Sequence, residues 1–131
     1  MQQIEPYLEC GAAPEPHEVE LIQPDMIECL ETLADLCHTI ARSKGFWDTP
    51  RNTGEAIALI HSELSEMLEA CRKPGQSSDH IEGFQAAEEE AADVLIRLLD
   101  LSRGMQLDLG RAVMAKLKFN LSRPAKHGKA F

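Results

Sequence analysis

Aromatic residues are scarce in this chain: one Trp, one Tyr and four Phe among 131 residues. Leu, Ile, Ala and Met must therefore fill any core, which favours helices over strands. Positive charge is also short. Thirteen Lys and Arg stand against 22 Asp and Glu, a net charge of −9, and that balance argues against a general binder of nucleic-acid backbones. It leaves room for a nucleotide whose charge is offset by metal ions. The four cysteines, at positions 10, 29, 37 and 71, form no CxxC and no Cys/His cluster with zinc spacing. Cys29 and Cys37 fall on one expected helix and read as small core residues in a reducing compartment. No apolar run approaches the roughly 20 residues of a membrane helix. The N-terminus, Met-Gln-Gln-Ile-Glu, has neither a basic start nor an apolar stretch. The expectation is one cytoplasmic domain, engaging neither membrane nor nucleic acid.

Against these absences stands a concentration of acid. Glu63-Leu-Ser-Glu66 and Glu90-Ala-Ala-Asp93 are two acidic pairs, each spaced i, i+3. That spacing puts both carboxylates of a pair on one side of a helix, a turn apart. Each pair sits in a segment that otherwise reads as a core-packing helix. Between them the polar break Lys73-Pro-Gly-Gln-Ser-Ser-Asp79 lets the second helix fold back on the first, so that four carboxylates face one another. Two like charges ~4 Å apart repel by about 4 kcal/mol at an effective dielectric near 20. The groups must splay into water, take up protons or share a cation. An all-oxygen ligand set suits a hard ion such as magnesium, commonly held by a few carboxylates, water and substrate phosphates. The competing reading is a solvated acidic face with local i, i+4 ion pairs, Asp93–Arg97 and Glu69–Lys73.

Periodicity divides the rest of the chain. Residues 1–23 read as a loose arm, docked through Ile4, Tyr7 and Leu8. A first helix is expected over about 24–44, begun by Pro24 and ended by Gly45, with Met26, Leu30, Leu33, Cys37 and Ile40 as its core stripe. His38 follows Asp35 by three residues, a spacing for a ligand pair that is more often structural. Gly45-Phe-Trp-Asp-Thr-Pro50 is a rigid turn whose Trp47 either plugs the end of a bundle or offers a face for a base. Asn52 and Glu55 resemble a capping box for a second helix over about 53–72, with Ile57, Ile60, Leu64, Met67 and Cys71 as its stripe. His61 falls away from the carboxylates. A third helix is expected over about 81–103, closed by Gly104. Its broad apolar surface, which includes Phe84, Val94, Leu95, Leu98 and Leu99, asks to be covered on most sides and so points to subunit association. A fourth helix, from Asp108 to about Ser122, packs Leu109, Val113 and Leu117 inward and carries Lys116, Asn120 and Arg123 on one side. Residues 124–131 form a basic tail, a solvated end or a clamp for phosphates.

With these residues in place, the chain resembles the MazG-like branch of the all-α nucleoside triphosphate pyrophosphohydrolases. The family pattern is E-x-x-E, a spacer and E-x-x-D; here Glu63-x-x-Glu66 and Glu90-x-x-Asp93 are separated by 23 residues. The stretch KLKFNLSRPAKHGK is similar to the family's Lys-x-x-x-Asn-x-x-Arg ending. The resemblance covers about residues 25–129. It implies an all-α fold of four-helix-bundle type over 24–123, with helices packed across a subunit interface in a homodimer or dimer of dimers. It also implies that Glu63, Glu66, Glu90 and Asp93 bind Mg2+, with Mn2+ as a substitute. On this reading a nucleoside triphosphate is cleaved to the monophosphate and pyrophosphate, in control or house-cleaning of the nucleotide pool. Glu63 or Glu66 would orient or deprotonate the attacking water, and Lys116, Asn120 and Arg123 would line the nucleotide site, with Trp47 as a further substrate contact. Two rivals are a di-iron carboxylate bundle, which wants two Glu-x-x-His motifs absent here, and a non-catalytic nucleotide-binding or helical interaction module.

Overall fold

The computed structural model describes residues 13–128, and the expectations placed on Ile4, Tyr7, Leu8 and Cys10 lie outside them. Four helices follow in order: α1 (Pro16–Ser43), α2 (Thr53–Cys71), α3 (Ala86–Gly104) and α4 (Leu109–Leu121), then a short 3-10 turn at Ala125–Gly128. Among the described residues the only extended pairing is an isolated bridge between Ser77 and Gln85. The fold is all-α. None of its described helices is long and apolar enough to cross a membrane. The chain divides into two compact units, one of residues 1–31 with 108–131 and one of residues 32–107, so α1 contributes to both.

α1 begins at Pro16, not at Pro24, which lies inside it. The start signal therefore belongs to the earlier proline, where a missing N–H costs nothing. The backbone N–H of Glu15 donates to the Glu18 carboxylate at 2.7 Å, tying the first turn. Residues 16–23 are thus helix rather than arm. Gly45 does end α1: it takes φ +84°, Gly45 N–H donates to the Arg42 carbonyl and Phe46 N–H to the Ala41 carbonyl. Those two bonds make a Schellman cap, whose left-handed position favours glycine.

The second unit is built on α2 and α3, which form the main helix pair. Asn52 caps α2 as expected, its side-chain oxygen accepting from Glu55 N–H at 3.1 Å. The segment between the helices folds back through Ser78 N–H to the Phe84 carbonyl at 2.9 Å and Ala86 N–H to the Gln76 carbonyl at 2.8 Å. Residues 81–85 belong to this turn, so α3 starts at Ala86 and not near 81. α3 does end at Gly104, but Gly104 is not its left-handed cap. The cap falls later, with Gln106 at φ 57° and Leu107 N–H bonded to the Ser102 carbonyl. Gly104 serves close approach instead: a Cβ there would lie 2.0 Å from Trp47 Cη2.

Ala56, Cys37, Ala34, Leu99 and Leu101 are buried in this unit, but much of the expected core stripe is not. Leu33 and Ile40 of α1, Ile57 and Leu64 of α2, and Leu95 and Leu98 of α3 are exposed in the single chain, as are Leu36, Leu68 and Ile96 outside the expected stripes. Phe84, in the turn, is exposed too.

In the first unit, residues 16–31 of α1 accompany α4. Val19 and Met114 are buried, whereas Leu117 is exposed although its spacing turned it inward. An apolar cavity of about 660 Å³ is lined by Val19, Ile22, Met26, Val113 and Leu117 among others. Cys29 is exposed and lines this cavity; of the two α1 thiols only Cys37 is a core residue.

Candidate metal centre

Packing of α2 against α3 brings Glu63, Glu90 and Asp93 together. One carboxylate oxygen from each lies within 4.8 Å of the others; Glu63 is buried and Glu90 half-buried. Glu66, one turn after Glu63, is exposed and is not among the grouped ligands, but its charge is felt at Glu90. The electrostatics are those of crowded acids. Burial, then the charges of Glu66, Glu63 and Asp93, push the Glu90 carboxyl above its ordinary range. Burial, then the Glu63 charge, pushes Asp93 up, with Arg97 acting in the opposite direction. A group held above its usual value gives up its proton less readily than an ordinary carboxyl, as expected where acids crowd with little positive charge beside them.

Arg97 is the cation in direct contact. Its Nε lies 2.7 Å from Glu63 Oε1, across the helix pair. The i, i+4 spacing had assigned it to Asp93, which it influences through charge alone. The other expected local pair, Glu69 with Lys73 at 3.0 Å, is present and exposed, and contributes little.

A second acid on α3 escaped the sequence reading. Asp100 is buried. Its Oδ1 accepts from His38 Nδ1 and from Trp47 Nε1, both at 2.8 Å, and its Oδ2 accepts from Arg51 Nη1 at 2.8 Å. His38 therefore pairs with Asp100 and not with Asp35, whose partner is Arg103 Nε. Trp47 meets His38 edge-on with ring centroids 4.9 Å apart, and the Arg51 guanidinium stands 5.3 Å from the Trp47 ring centre. These contacts tie Trp47 to α3 and to His38. The signal was available: Asp93, Arg97 and Asp100 fall at i, i+4, i+7 on one ridge, and Asp100 interrupts an apolar run. An apolar cleft of about 390 Å³ has Leu36, Cys37, Ile40 and Ile96 in its wall, with Asp93, Arg97 and Asp100 among its polar groups. Burial, then the charge of Asp100, pushes the Cys37 thiol up, which leaves it a poor nucleophile.

The basic end lies on α4, in the other unit. Lys116 Nζ stands 4.6 Å from the centre of the Phe119 ring and Arg123 Cζ 5.6 Å from it. Asn120 lines the 660 Å³ cavity. The two cations share one aromatic ring, as their common side of the helix implied.

The donor set of the cluster, three carboxylates in reach of one point, fits a hard divalent ion and lacks the nitrogen or sulfur ligands that softer metals favour. Comparisons with family models, with curated proteins and with solved structures return no match to this chain.

Proposed function

We propose that the chain is a MazG-like, magnesium-dependent nucleoside triphosphate pyrophosphohydrolase, releasing a monophosphate and pyrophosphate. The observation that carries this reading is the convergence of Glu63, Glu90 and Asp93 from two helices onto one point. The same residues stand in the E-x-x-E and E-x-x-D context of the sequence. Glu63, Glu90 and Asp93 would hold the ion; Glu66, one turn after Glu63, is exposed. A magnesium ion bound there would neutralise phosphate charge and lower the pKa of bound water, with Mn2+ as a substitute.

The protein's own groups do the rest. Glu66, exposed and one turn from Glu63, orients or deprotonates the attacking water. Arg97 holds Glu63 in place. Lys116, Asn120 and Arg123 supply contacts to the nucleotide, the two cations meeting phosphate charge that one divalent ion leaves uncancelled. Trp47 offers a base-stacking face in addition to its clamp. The exposed apolar faces of α1, α2 and α3 support a homodimer or dimer of dimers, since patches of this kind mark association surfaces. Light scattering at micromolar concentration should show at least a dimer.

The decisive experiment is a panel of canonical and modified nucleoside triphosphates with magnesium, read out as pyrophosphate. Release by the wild type, lost in Glu63→Gln and Asp93→Asn, is the expected result. A folded protein that turns over none of the panel with either Mg2+ or Mn2+ would leave a non-catalytic nucleotide-binding or interaction module.

A further inference from the structure

In the first unit, α1 and α4 leave an apolar groove open between them, with a cavity of about 660 Å³. Ile22, Met26 and Leu30 of α1 and Val113, Leu117 and Leu121 of α4 line it. Five of these six are only half-buried, and Leu117 is exposed. Aliphatic surface of this kind gains free energy when it is taken out of water, so the groove suits an occupant that is itself apolar.

The course of the chain supplies one. Pro14 is part of the groove wall, and residues 1–12 join the described chain at Ala13, beside it. That segment carries three larger apolar side chains close together, Ile4, Tyr7 and Leu8. From Pro14 back to Ile4 an extended chain reaches up to roughly 35 Å. The α1 wall from Val19 to Leu30 rises only about 16 Å, so the segment is long enough to double back along it. Charge favours the same placement: Glu5 and Glu9 flank the apolar three, and helical spacing puts Lys116 and Lys118 to either side of the α4 wall. Tethering favours it further. A short linker holds a segment near its site at an effective concentration in the millimolar range, above that of a second copy in dilute solution.

We propose that residues 1–12 close this groove, with Ile4 and Leu8 entering between α1 and α4 and Tyr7 at the mouth, its hydroxyl in water. The first unit then takes its cover from its own chain. The inference is independent of the metal-site reading.

Cys29 gives a direct readout, because it is exposed and lines the groove. Cys71, exposed at the end of α2, serves as the reference within the same chain. The test is pulsed alkylation of the full chain with N-ethylmaleimide, read by peptide mass spectrometry at low and high protein concentration, with circular dichroism as the check on folding. In the wild type Cys29 should react more slowly than Cys71 at both concentrations. Ile4→Asp combined with Leu8→Asp should speed Cys29 by about tenfold or more, since two apolar side chains lose their burial, and leave Cys71 unaltered. Leu8→Met, which keeps an apolar side chain of similar volume, should retain the protection. Cys29 reacting as fast as Cys71 in the wild type would mean an open groove and overturn the proposal. Protection that persists in the folded double variant would overturn it too, and a protection that then grows with protein concentration would assign the groove to a second copy.

Discussion

Two carboxylate sites stand on the same face of α3, Asp93 in one and Asp100 in the other, two helical turns apart. At Asp100 one buried acid is met by three donors from the α1 end and the turn that follows it: His38, Trp47 and Arg51. At Asp93 the proportion is reversed, with three acids and Arg97 in contact with one of them. The first site is complete as it stands, every lone pair that matters being answered by a hydrogen bond. The second holds its carboxyls above their ordinary range because the charge around them is of the same sign. A protein gains nothing in stability from such a cluster. The contrast separates a carboxylate that fastens the fold from carboxylates crowded by like charge, where the proposed metal would sit.

The sharpest way to break the comparison is to remove one acid from each site. Asp100→Ala strands the Arg51 and His38 side chains, both largely buried, and should cost about 3 kcal/mol or more in unfolding free energy, measured by chemical denaturation. Asp93→Asn should act with the opposite sign in metal-free protein: it removes a negative charge that burial and the Glu63 charge disfavour, and should stabilise by up to about 1 kcal/mol. Equal destabilisation by the two would remove the distinction. The same Asp93→Asn, like Glu63→Gln, should lower turnover with magnesium about 100-fold or more, since several kcal/mol of charge stabilisation are lost.

Magnesium itself should sharpen the difference. At a concentration about 100 times the dissociation constant, an ion bound only by the folded state adds about 2.7 kcal/mol. Calorimetry should register this in the wild type and in Gly104→Ala, and not in Asp93→Asn. Gly104→Ala is a control on the fastened side: its Cβ meets the Trp47 ring at 2.0 Å and should cost about 1–3 kcal/mol by overpacking.

The pH dependence follows from the same shifts. A carboxyl whose folded pKa is raised binds its proton more tightly in the folded state. Metal-free stability therefore falls as pH rises from about 4, the ordinary carboxylate value, through the raised values of Glu90 and Asp93. Protons compete with the ion for the same oxygens, so the magnesium-induced rise in Tm should grow from pH 5 to pH 7.5. A rise that is larger at pH 5 would contradict the assignment. The smallest effect is expected outside α3: Arg123→Lys keeps the charge but loses the two-pronged phosphate contact, and should lower kcat/KM by about tenfold.

Local signals carried much of the fold. Asn52 and Gly45 mark helix ends through chemistry confined to a few residues, and both ends fall where those residues put them. Pro24 misled because it also fits a second use, and Gly104 marks the end of α3 without being its left-handed cap. Pro24 is tolerated within α1, behind the true start at Pro16, and Gly104 makes room for Trp47, a residue distant in sequence. The convergence of Glu63, Glu90 and Asp93 was legible because helical spacing and a breakable spacer suffice to bring them together. The partners of Asp100 were not, since all three lie far from it in the sequence, on the α1 end and the turn after it, and only packing brings them to α3. Arg97 shows the same limit: spacing offers Asp93, but the packing of α2 on α3 decides for Glu63. Exposed Leu64 and Leu95 have apolar periodicity without burial, because a stripe says that a face needs cover and not which chain supplies it.

The position of Trp47 has an optical consequence. It is the chain's sole indole, its N–H is bound to Asp100 and an imidazole stands edge-on at 4.9 Å. Its emission therefore reports on one place, where the turn after α1 is fastened to α3. Red-shifted, brightened or quenched light would follow the release of that fastening. The same signal would be nearly blind to events among the carboxylates of Glu63 and Glu90. Fluorescence and calorimetry on one sample would thus read the two ends of a single helix separately.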